Sequence, residues 1–136
     1  MEDVIERIRA AHYPDWPLMD LPDEEGLARL EREHGLNLPA GLREFLLRVG
    51  DVVCDGPAPV TVTDPLLDTH LPGLTELAWE QGVPRDLVVL CQDEHLFYLV
   101  APDGTVVVWS CDTYALTEDR WESVWHWAGE VWVPAA

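Results

Sequence analysis

Along the first fifty residues apolar side chains return every three or four positions, the period of helices buried along one side. Val4, Ile5, Ile8 and Ala11 fall on one such face, and Pro14 stops the segment. A proline-rich connector carrying Trp16 follows. Asp20 or Asp23 is placed to cap a second helix that buries Leu27 and Leu30 and reaches about His34, where Gly35 suits a left-handed C-terminal cap. The third helix has the clearest pattern: Pro39 in its first turn, then Leu42, Phe45, Leu46 and Val49, with Gly50 as the next cap.

From Asp51 to about Pro84 the pattern dissolves among five prolines, leaving a short strand candidate at Val60–Thr63 and a turn of helix near Leu77. Three β-rich runs then follow closely: 87–91, 96–100 and 105–109. Gln92-Asp93-Glu94 and Pro102-Asp103-Gly104 make tight turns between them, so neighbouring strands run antiparallel. Near-continuous apolarity places at least one strand under cover on both faces. A closing helix is expected from about Glu118 to Gly129, capped by Thr117 or Asp119, with Trp121, Val124, Trp125 and Ala128 as its buried stripe. The fold class is α+β: one domain over residues 1–136, an antiparallel β-meander packed against N-terminal helices and a C-terminal helix.

Particular residues in this order resemble the SUKH superfamily. Leu30-Glu31, then Gly35-Leu36-Asn37-Leu38-Pro39, then Leu42-Arg43-Glu44-Phe45-Leu46 match that family's helix, its "LP" break and its second helix. Val83-Pro84 precedes the first central strand, Asp103-Gly104 sits in the second turn, and Trp121, Val124, Trp125 and Trp127 match an aromatic last helix. The resemblance spans roughly residues 22–130. It departs from the family where Gly50-Asp51 stands for Gly-Gly and where tryptophan-rich text stands for Ser-Phe. It implies a non-catalytic binding domain without a cofactor, of the kind that includes yeast cell-wall-synthesis regulators and bacterial immunity proteins. In the chain itself Pro39 sets the backbone entering its helix, and Leu38 can staple back onto it, so the marker is first of all structural.

Charge changes the picture more than composition does. The chain has 136 residues, 48% of them apolar, the mix of an ordinary globular domain. Its 26 acidic residues stand against 8 basic ones, for a net charge of −18. Residues 1–50 hold 11 acids and 6 arginines, net −5, whereas 51–116 hold 11 acids against Arg85 alone, net −10. Such a surface repels nucleic acid and anionic lipid and attracts basic proteins. Cys54, Cys91 and Cys111 are odd in number and widely spaced, and the first residues lack a secretory pattern, which together point to a reduced, cytoplasmic setting.

Enzyme signatures are weak. Asp64, Asp68 and His70 in one loop are the best metal-ligand group, but scattered loop acids are usually solvated. Cys91 with His95, or with Cys111, lacks zinc-knuckle spacing and no cysteine has a histidine in a nucleophile pattern. The expectation is therefore an immunity-type protein that neutralises a cognate basic toxin, such as a nuclease or deaminase, by stoichiometric binding. Asp51, Asp55, Asp64, Asp68, Asp93 and Glu94 would steer the partner, and Trp16, Trp79 and Trp127, standing outside the helical stripes, would anchor it. A regulatory module recruiting an endogenous basic protein is the alternative; a metal-dependent enzyme using Asp64, Asp68 and His70 comes third.

Overall fold

The computed structural model describes residues 1–15, 17–18, 20–54 and 57–134. Three helices come first: α1 (Glu2–Ala11), α2 (Glu24–His34) and α3 (Ala40–Val49). Asp23 caps α2, its carboxylate accepting the Gly26 N–H at 2.7 Å, and Gly35 ends the helix at φ 65°. Gly50 ends α3 differently. Its φ of −66° is right-handed, and glycine is needed there because a Cβ would run into the Leu46 carbonyl.

The segment expected to be mostly irregular contains a full helix, α4 (Leu71–Gln81), against the single turn read near Leu77. Pro72 opens that helix, where its missing N–H costs nothing. Val60–Thr63 forms no continuous strand. Pro59 bridges Cys91, Thr61 bridges His70, and paired Thr61 and Thr69 hydroxyls 2.8 Å apart close the loop between them.

The sheet has four antiparallel strands in sequence order: β1 (Val88–Asp93), β2 (Leu96–Val100), β3 (Val106–Ser110) and β4 (Ala115–Trp121). β4 corrects the expected closing helix. Residues 115–121 pair with β3, with a register shift opposite Val107–Trp109, and Tyr114 at φ 52° makes the turn into the strand. Helix begins only at α5 (Val124–Trp127), capped by Ser123 rather than Thr117 or Asp119, and widens into one π-helical turn, Ala128–Trp132.

Strand alternation sorts the sheet into two covered faces. Phe97 and Trp109 are register partners on one face, where α4 packs and Gln81 accepts the Trp109 indole N–H at 3.3 Å. Tyr98 and Val108 lie on the other face, under Trp127 of α5. Behind α5 sits α3, with Phe45 ringed by Trp125 and Trp132 at 5.5 and 5.7 Å. Arg7 of α1 ties the chain's far end to this layer by donating to the Gly129 and Val133 carbonyls, both at 2.8 Å.

Candidate functional site

The break between α2 and α3 is held from below by one carboxylate. Glu31 accepts the Leu38 N–H at 2.9 Å and also pairs with Arg43, whose guanidinium reaches toward Glu24 as well. The residue after Arg43, Glu44, accepts the Trp125 indole N–H at 3.0 Å. The stretch Glu31, Leu38-Pro39, Arg43-Glu44 is thus a clasp joining α2, α3 and α5. Its role is architectural.

Three more arginines on the helical side are likewise occupied. Arg9, Arg29 and Arg48 each lie within 4.0 Å of a carboxylate. Asp51, expected among the steering acids, is one of those partners: it is 7% exposed and accepts from Arg9 at 2.9 Å, so it faces inward as a strut between α1 and the end of α3. Trp127, expected as an exposed anchor, is 0% exposed beneath the sheet. Trp79 is half-buried; its indole donates to the Leu87 carbonyl and Arg85 stacks over its ring at 5.1 Å. It lines a cleft of about 370 Å³ together with Leu38 and Pro102. Trp16 and Asp55 lie outside the described residues.

The remaining acids fall in two places. Asp68 is exposed and Asp64 half-exposed on the 61–70 loop, beside a cleft of about 410 Å³ against α2. Asp64 accepts the Leu66 N–H at 3.0 Å, and His70 turns its ring toward His34, 6.5 Å away. Burial first, then His34, lowers the His70 pKa, with Asp64 opposing. Among the described residues no three His, Cys, Asp or Glu side chains gather to hold a metal. Cys91 is buried and its thiol is pushed up to about 12 by burial and by Asp93, which keeps it protonated and inert at neutral pH.

Asp93 and Glu94 occupy the β1–β2 turn, at the opposite end from that loop: Pro59 pairs antiparallel with Cys91, so the chain leaving Pro59 runs toward the start of β1. This turn adjoins the β3–β4 turn, where Cys111 N–H donates to the His95 carbonyl at 2.8 Å and His95 Nδ1 lies 3.7 Å from Asp112. Glu118 and Asp119 follow along the exposed edge strand β4, close to exposed Tyr114 and Leu116. Arg120 serves the other end of the sheet, where it helps lower the Asp103 pKa behind the dominant Thr105 amide. Among the described residues no ion pair neutralises Asp93, Glu94, Glu118 or Asp119.

The family model SUKH_5, described as SMI1-KNR4 cell-wall, matches residues 1–133. The chain belongs to the SUKH family. A solved protein from Pseudomonas syringae pv. tomato is 47% identical to this SUKH chain, covers 98% of both chains and superposes with a TM-score of 0.91. No curated protein matches. Among the described residues of the SUKH chain no helix is long and apolar enough to cross a membrane. Of the acids named in the sequence, Asp93 and Glu94 stand on the free acidic end of the sheet. Asp112 joins them at that end, Glu118 and Asp119 continue the acidity along β4, and the Tyr98–Trp121 contact lies farther along the sheet. Glu118 and Asp119 were missed because a helix was read from about Glu118 to Gly129, which made Asp119 a cap and Trp121 core.

Proposed function

We propose that this SUKH chain is an immunity-type binding protein that neutralises a basic toxin, such as a nuclease or deaminase, by one-to-one docking without turnover. The observation that carries this reading is the sheet end, where carboxylates from the β1–β2 turn, the β3–β4 turn and β4 adjoin and, among the described residues, form no ion pair with an arginine. Uncompensated charge of one sign raises encounter rates with an oppositely charged cleft and selects against acidic partners. Asp64 and Asp68 form a second, smaller acidic corner, and Trp79 offers a half-buried aromatic at another cleft.

Where a gene for a basic toxin adjoins its own, co-expression of the two tests this. The chain restores growth at one-to-one stoichiometry, and its association rate with the toxin falls about tenfold or more as salt rises toward physiological strength. Undiminished toxicity with the chain in excess defeats the reading. The family description, SMI1-KNR4 cell-wall, favours a second one, in which the same acidic end recruits an endogenous basic protein as a regulator. Growth that depends on the chain in the absence of any toxin gene selects the second.

A further inference from the structure

The Tyr98 side of the sheet gathers groups from three strands. Cys91 is the register partner of Tyr98, and alternation along β1 puts Asp93 on the same side. From β4, Trp121 meets the Tyr98 ring at 5.8 Å, and Asp119, two residues earlier, shares that side. β1 and β4 are three strand spacings apart, about 14 Å, so the two carboxylates bracket the phenol from opposite flanks.

Tyr98 is 8% exposed and its ring is clasped between Trp121 and Trp127. A buried tyrosine ordinarily spends its hydroxyl on a protein partner. This one has none among the described residues, although its hydroxyl is not sealed from the surface. Burial raises its pKa, and Asp93, Cys91 and Asp119 add to that, so at neutral pH it stays a hydroxyl with lone pairs to offer. An acceptor of this kind, flanked by unpaired carboxylates and walled by an indole, matches a planar cation with several N–H donors. Guanidinium is permanently charged, weakly hydrated and stacks on aromatic rings, whereas an ammonium is compact and strongly hydrated.

Resting on the reading that a basic protein docks here, we propose that this face receives an arginine side chain of the partner. Its guanidinium donates to Tyr98 Oη, with Asp93 on one flank and Asp119 on the other.

The test uses the full chain and N-acetyl-arginine amide as probe, followed through the indole N–H signals of Trp121 and Trp127 by NMR. Saturable shifts are expected with the arginine probe and none with its neutral isostere, N-acetyl-citrulline amide. Tyr98→Phe keeps the ring between its two tryptophans and removes only the hydroxyl; it weakens the probe at least threefold. Asp93→Asn weakens it more than Asp119→Asn does. Unmoved indole signals, equal binding of the citrulline probe, or wild-type affinity in both Tyr98→Phe and Asp93→Asn would overturn the arginine site. Should those variants leave the probe unaffected while neutralising Asp93, Glu94 and Asp119 together still slows toxin association, acidic docking survives without this anchor. An unchanged toxin rate in that triple variant instead removes acidic docking itself.

Discussion

Glu31→Ala is the most informative single perturbation of the fold. In the wild type, Glu31 Oε2 takes the Leu38 N–H at 2.9 Å and Oε1 takes Arg43. The alanine leaves the Leu38 amide without an acceptor in a chain break where the next residue, Pro39, cannot reorganise into a helical bond. A hydrogen bond to a charged group is worth about 1.5–3 kcal/mol. The Arg43 and Glu31 side chains are 24% and 18% exposed, so solvent screens their ion pair and it adds less than about 1 kcal/mol. The expected loss is about 2–3 kcal/mol, or roughly 6–10 °C in Tm for a chain of this length. Glu31→Gln keeps an acceptor for Leu38 and gives about half that loss. Urea denaturation followed by tryptophan fluorescence reads both as shifts in midpoint at constant slope. A Glu31→Ala chain within about 0.5 kcal/mol of wild type, or a glutamine variant as damaged as the alanine, refutes the clasp.

Two further outcomes follow from burial. Trp127→Ala removes a side chain that is 0% exposed and should cost about 3–5 kcal/mol, measured in the same denaturation series; a binding defect at unchanged stability would show it to be a surface anchor after all. His70 has a folded pKa below its ordinary 6.5, because burial and His34 outweigh Asp64. Its unfolded form binds the proton first, so its stabilising contribution is full above pH 6.5 and is lost as pH falls through the lowered folded pKa. His70→Gln should therefore flatten the stability profile in that acidic window, and a profile unchanged by the substitution contradicts the assignment.

Much of the architecture was legible because it follows from period and punctuation. α1, α2 and α3 show strict helical spacing with aspartate, proline and glycine at their ends, and β1 to β3 are apolar runs separated by turns. Two elements were hidden for identifiable reasons. In α4, Pro72 reads as a breaker unless it is known to stand at a helix start. In β4, Glu118 and Asp119 imitate an acidic first turn, and the strand's exposure removes the alternation that would betray it; what makes it a strand is the open edge of β3, which it joins through the turn at 111–114. Trp127 was misplaced because α5 is covered on two sides, Trp125 against Phe45 of α3 and Trp127 against Tyr98 of the sheet, so one apolar stripe cannot report its burial. Asp51 was misread because Arg9, forty-two residues away, turns it inward. The acidic meander turn was legible as charge, but the aromatic contact on the sheet's face was not, since only the register brings Tyr98 and Trp121 together.

The two borders of the sheet are treated differently. Along β1, Val60 donates to the Leu90 carbonyl and Thr75 Oγ1 takes the Val89 N–H, so that border is closed by the chain itself. Along β4, among the described residues, no further strand pairs, and Glu118 and Asp119 set like charge on the open edge, a pattern that disfavours pairing of one copy with another. The carboxylates that would summon an enemy protein also act as gatekeepers against self-aggregation, which binds the acidity of this strand to the chain's own survival at high concentration.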